Sequence, residues 1–199
     1  PVKMFVNDFD GNGIPEKIMT KSIDQKDKPV FLKRELQEQI PSLKKQNLRH
    51  ADFATKTIQQ LFDSDVLEKC VVKQVNYSSS CIAWNDGNGQ FSVQPLPLLT
   101  QLSSINAISA KDINNDGKPD LIMAGNEFDF IPQFGRLDAG HGTVLLNKGN
   151  RKWQTLMQKQ SGIFVRGMVR DIQWISTKKG KAILFLQNND TPVLYRLNQ

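Results

Sequence analysis

The chain has 199 residues, 39% hydrophobic and 23% charged, with a formal net charge of +6. That length supports one sizeable core or two small ones, and no apolar run approaches the roughly 18 residues that a membrane-spanning helix needs. The basic residues are dispersed, in short pairs such as Lys44-Lys45 and Lys178-Lys179, which argues for a solvated surface rather than a nucleic-acid patch.

The first element is strand-like, Val2–Val6, and runs into Asp8-Phe9-Asp10-Gly11-Asn12-Gly13-Ile14-Pro15-Glu16. Oxygen-bearing side chains stand at loop positions 1, 3, 5 and 9, with Gly at 6 and Pro at 8. Alternate side chains of such a loop face one centre, and Gly permits the left-handed turn that winds it. Three carboxylates and one amide oxygen suit Ca²⁺ better than a transition metal. An apolar stretch at Ile18–Thr20 follows and is expected to be a strand.

Residues 27–70 read differently. Leu32, Leu36 and Ile40 recur at helical spacing, as do Phe53, Ile58, Leu61 and Phe62; Gly is absent and Pro41 ends the first helix. Ser64–Glu68 has the start of another short helix. The stretch is expected to be a helical insertion whose apolar stripe packs on its own neighbours. His50, inside it, reads as a solvated helix-end residue. Cys70 and Cys81 do not make a disulfide scaffold and are expected as two half-buried thiols.

Beyond the insertion, strands are expected at Cys81–Trp84, Leu121–Ala124, Thr143–Leu146 and Ala182–Leu186. Tight Gly/Asn turns lie at 84–91 and 146–153, with a shortened version at 187–191. Asp112-Ile113-Asn114-Asn115-Asp116-Gly117-Lys118-Pro119-Asp120 repeats the first loop position by position. Asp171-Ile172, after a strand-like stretch at 164–169, opens in the same way and then loses the oxygen ligands, with Gln173 and Ile175 at positions 3 and 5. With the insertion removed the period is about 60 residues, and a repeat of four short strands at that period is a propeller blade. An EF-hand is excluded because position 12 is Met19 or Met123 rather than Glu and the exit is strand-like.

These residues resemble the FG-GAP/VCBS repeats that build the β-propellers of integrin α-subunit heads and of many bacterial secreted or cell-surface proteins. The resemblance implies a mainly β fold. Residues 1–199 would form a β-propeller fragment of about three four-stranded blades, with the 27–70 insertion in the first. It implies metal ligands at Asp8, Asp10, Asn12 and Glu16 with the Ile14 carbonyl, and at Asp112, Asn114, Asp116 and Asp120 with the Lys118 carbonyl. The cofactor would be weakly bound Ca²⁺. It further implies an extracytoplasmic, non-catalytic module for adhesion or for binding a protein or glycan, with self-association of the incomplete propeller. The alternative is a polysaccharide-processing or other hydrolase or lyase, with its site in the polar, Gly-rich segment Arg136–His141. There Arg136 is expected to pair with Asp138 or Glu127.

Overall fold

The computed structural model describes residues 1–131, 134–178 and 180–196, so Lys179 of the second basic pair lies outside them. The chain divides into two compact units, 1–78 and 79–199.

The first unit is built on a four-stranded antiparallel sheet: β1 (Val2–Asn7), β2 (Glu16–Ile23), β3 (Lys26–Pro29) and β4 (Val71–Val75), in spatial order β3-β2-β1-β4. Strand β2 alternates cleanly, with Glu16, Ile18 and Thr20 buried and Lys17 and Lys21 exposed, the period-2 pattern of a sheet with one covered face. Five short helices cover it: α1 (Lys33–Gln39), α2 (Leu43–Gln46), α3 (His50–Thr55), α4 (Ile58–Leu61) and α5 (Ser64–Glu68). Helices this short do not persist alone in water; burial holds them. Leu36, Ile40, Leu43, Phe53, Ile58 and Leu61 close on Phe5, Phe9 and Ile18 of the sheet and its loop. The expected insertion is therefore helical and packs on its own sheet, although its first residues, 27–29, belong to β3. Leu32 departs from the predicted stripe: it precedes α1 and is exposed. Its N–H is taken by the Glu35 carboxylate at 2.8 Å.

The second unit opens with the hairpin β5 (Cys81–Gly87) and β6 (Gln90–Pro95). A four-stranded antiparallel meander follows, β7 (Ile105–Lys111), β8 (Asp120–Gly125), β9 (Thr143–Asn147) and β10 (Trp153–Leu156). After a short helix, α6 (Gln158–Ser161), a three-stranded meander ends the unit: β11 (Val169–Thr177), β12 (Gly180–Gln187) and β13 (Val193–Arg196). The central strand β8 is covered on both faces, and its alternation decides which residue goes where. Ile122 and Ala124, with Val144 of β9, face Val169, Ile172, Ile183 and Phe185 of the last sheet. Met123 and Leu145 point the opposite way, to Leu96, Ile82 and Trp153. One meander thus lies between two further sheets.

Three expectations are corrected. Of the three four-stranded blades expected, β7–β10 alone forms a sequential four-stranded meander among the described residues; the strands of the first unit are ordered differently and those of β11–β13 number three. Asp171 does not open a third loop. It lies inside β11, paired with Leu186 after a bulge that follows Val169, because loop positions 4 and 6 are Trp174 and Ser176 rather than the Gly or Asn that a left-handed turn requires. The stretch at 164–168 is an irregular strap rather than a strand, and β11 begins only at Val169. The three Gly/Asn turns fall where predicted, between β5 and β6, β9 and β10, and β12 and β13.

Candidate metal centre

Both predicted loops are the connections of antiparallel hairpins, and they leave the ladder at the same place. Asn7 pairs with Glu16 at the end of β1–β2, and Lys111 with Asp120 at the end of β7–β8. Within each loop the backbone turns left-handed at positions 4 and 6: Gly11 and Gly13 (φ 77° and 86°) in the first, Asn115 and Gly117 (59° and 82°) in the second. Only Gly, and less readily Asn, adopts that region without a steric penalty, which is why those residue types stand there.

The hydrogen bonds repeat as closely. The first Asp of each loop accepts from the N–H of positions 5 and 6: Asn12 at 3.0 Å and Gly13 at 2.8 Å on Asp8, Asp116 at 3.1 Å and Gly117 at 2.9 Å on Asp112. The side-chain oxygen at position 5 accepts from the N–H of position 7, Ile14 to Asn12 at 2.7 Å and Lys118 to Asp116 at 3.0 Å. The acid at position 9 accepts from the N–H of position 2, Phe9 to Glu16 at 2.9 Å and Ile113 to Asp120 at 3.0 Å. At Asp8 and Asp116 the backbone amides favour the charged carboxylate. The Gly13 N–H, then those of Gly11 and Asn12, lower the Asp8 pKa against a smaller desolvation effect; the Lys118 N–H does the same first for Asp116.

The two loops then diverge. In the first, carboxylate oxygens of Asp8, Asp10 and Glu16 lie within 4.8 Å of one another. Three hard anionic donors at that separation fit a single Ca²⁺-sized cation. Among the described residues, Asp112, Asp116 and Asp120 form no such gathering. Asp120 is fully buried, and its second oxygen takes the Asn147 N–H at 2.8 Å. The Lys118 ammonium stands 3.6 Å from Asp116 Oδ2, which also accepts the Asn114 amide at 3.2 Å. The second loop thus supplies its own cation and spends its ninth-position acid as a staple to the β9–β10 turn.

Residues 64–123 match the family model of an FG-GAP-like repeat. This segment is similar to an FG-GAP repeat. It runs from α5 through the second loop into β8, and so includes Asp112–Asp120 and the β5–β6 turn but not the first loop. The first loop is tied to the FG-GAP segment by geometry instead, through the shared hydrogen bonds and the shared left-handed positions. No curated protein and no solved structure gives a significant match.

Several contacts escaped sequence reasoning. Phe9, at position 2 of the first loop, is buried and meets the Phe62 ring at 4.6 Å, and Asn7 donates to the Val66 carbonyl at 2.8 Å. The helical insertion therefore holds the entry of the first loop. Arg136 pairs with neither Asp138 nor Glu127. It lies 4.1 Å over the Phe128 ring, while Glu127 pairs with Arg170 at 3.1 Å. His50 opens α3 and is exposed. Cys70 and Cys81 are free thiols, with Cys81 exposed rather than half-buried; burial pushes the Cys70 thiol up.

Proposed function

We propose that this chain is a non-catalytic binding module of an extracytoplasmic β-propeller, in which Ca²⁺ stabilises the first loop and blade surfaces recognise a protein or a glycan. The gathering of Asp8, Asp10 and Glu16 on a loop wound by its own amides carries the metal reading. Asp8, Asp10, Asn12 and Glu16, with the Ile14 carbonyl, would hold the ion; its chemistry is charge neutralisation and loop rigidity, not catalysis. The proposal extends to Asp112, Asn114, Asp116, Asp120 and the Lys118 carbonyl as a weaker site, since Lys118 competes there. FG-GAP repeats and the stacked sheets support a propeller module. No described helix is long and apolar enough to cross a membrane. Exposed Val71, Val72 and Val93 on the strands are proposed as faces for further blades or a second copy.

Extracellular modules bind Ca²⁺ with Kd of about 10⁻⁴–10⁻³ M. At ~2 mM Ca²⁺ and a Kd of ~0.1 mM, one site stabilises by roughly 1.8 kcal/mol. Thermal melting in Ca²⁺ against chelator tests this. A rise that disappears in Asp8→Ala is expected, and superimposable curves would remove the metal. The second reading, a hydrolase or lyase acting near Arg136–His141, is favoured by one observation, the acids and histidine that share a cleft there. Its test is product release from an acidic oligosaccharide.

A further inference from the structure

The second unit carries an open cleft of about 520 Å³ whose walls include Phe128, Arg136, Asp138, His141, Arg166 and Asp190, a size usual for small-ligand sites. Its two arginines are each laid on an aromatic ring, Arg136 at 4.1 Å over Phe128 and Arg166 at 4.7 Å over Phe164. Stacking occupies a guanidinium's face and leaves its in-plane N–H fork for a planar anion. Among the described residues neither arginine has an acid partner; the nearby Glu127 is engaged by Arg170. The walls are also held in place. Phe164 gives its N–H to the Tyr195 hydroxyl at 3.0 Å, and that hydroxyl donates back to the Phe164 carbonyl at 2.7 Å. His141 stacks on the same ring at 4.8 Å, and its carbonyl accepts the Val165 N–H at 2.9 Å. Buried Asn126 joins the two walls, donating to the Gly140 carbonyl at 2.8 Å and the Arg166 carbonyl at 2.9 Å. A fork fixed before the ligand arrives loses less entropy on binding.

The charge pattern narrows the ligand. Two guanidinium forks match a carboxylate or a phosphate, and the two acids in the same cleft favour the singly charged carboxylate over a dianionic phosphate. Asp138 and Asp190, in the same cleft and in no ion pair among the described residues, can accept hydrogen bonds from hydroxyl groups, which a sugar ring supplies and an acidic peptide does not. A neutral sugar would leave the forks unmatched. We propose that this cleft binds a uronic-acid residue of an acidic glycan, its carboxylate on Arg136 and Arg166 and its ring hydroxyls on Asp138 and Asp190. This deepens, and rests on, the binding-module reading.

The experiment is calorimetric titration of the full chain with trigalacturonate. Saturable binding is expected, weakened at least tenfold by Arg136→Ala or Arg166→Ala in protein of unchanged melting temperature. Arg166→Lys, a point charge without the fork, should restore only part of it. The fully methyl-esterified trisaccharide should not bind. Equal affinity for tetraglutamate would overturn the proposal in favour of an acidic-peptide site, equal affinity for the methyl ester would show that the carboxylate is not read, and no heat from trigalacturonate would remove the site. Chromatography of the titrated sample separates the two readings. Shortened sugars would overturn the non-catalytic module while leaving the site in place.

Discussion

The acid at the ninth loop position shows how one methylene redirects a side chain. Glu16 reaches back toward Asp8 and Asp10, whereas the shorter Asp120 is fully buried between the Ile113 and Asn147 amides. Asp120→Ala strands two backbone N–H groups and should cost about 2–6 kcal/mol, at roughly 1–3 kcal/mol for each unsatisfied donor; Asp120→Asn keeps one acceptor and should cost less. Urea unfolding of the two variants checks the order. Lys118→Ala removes the ammonium beside Asp116. A half-exposed pair contributes at most about 1 kcal/mol, so Ca²⁺ titration of the second loop should tighten by no more than about fivefold. Asp27 gives the pH dependence. Desolvation raises its pKa, but hydrogen bonds from Lys3 and Ser22 outweigh that and leave it lowered. A carboxylate depressed on folding contributes stability that is present above its unfolded value and lost as pH falls through its folded one. The wild-type chain should therefore lose more stability than Asp27→Asn between about pH 5 and pH 2, measured by urea midpoints across that range.

At the scale of elements, the helical insertion is both core and clamp. Truncating Leu36 or Ile58, each fully buried, should cost about 2–5 kcal/mol, and deletion of residues 30–69 should give an aggregating product, because Phe5, Phe9 and Ile18 lose their cover. The tilted Phe9–Phe62 ring pair makes a sharper prediction. Phe62→Ala lies outside the loop yet should weaken its Ca²⁺ binding, whereas a loop independent of the insertion would bind unchanged. The elements legible in the sequence were those specified locally. Left-handed positions, Asx hydrogen bonds and turns are written in Gly, Asn and Asp at fixed offsets, so both loops and three hairpin turns could be placed. Asp171 misled because one Asp before an apolar residue carries no turn geometry, and the strand that absorbs it is set by pairing with β12. Arg136 on Phe128 and the wall-joining Asn126 are tertiary facts. The one sequence hint for the latter was Gly125-Asn126 at a strand end, where Asn126 adopts φ 82°. Lys118 stood in plain view, but its distance from Asp116 did not.

Over the whole molecule, the two loops sit in different units, each with its own core: Phe5, Ile18 and the helices in the first, the stacked sheets in the second. The segment 64–123 that matches the FG-GAP-like repeat begins in one and ends in the other, so the boundary of the match and the packing boundary do not coincide. That separation makes the metal proposal testable by site. A ligand stabilises only the cooperative unit that holds it. The first loop gathers its carboxylates and the second neutralises its own with Lys118, so Ca²⁺ should raise the unfolding transition of residues 1–78 and leave that of 79–199 nearly still. For a unit of that size, a stabilisation near 2 kcal/mol moves Tm by on the order of 10 °C. Calorimetric scans with Ca²⁺ and with chelator, assigned by Asp8→Ala and Asp116→Ala, read the two transitions apart. Equal shifts in both would mean that the ammonium of Lys118 does not compete with the ion, and a single transition moving as one would mean that the two cores unfold together.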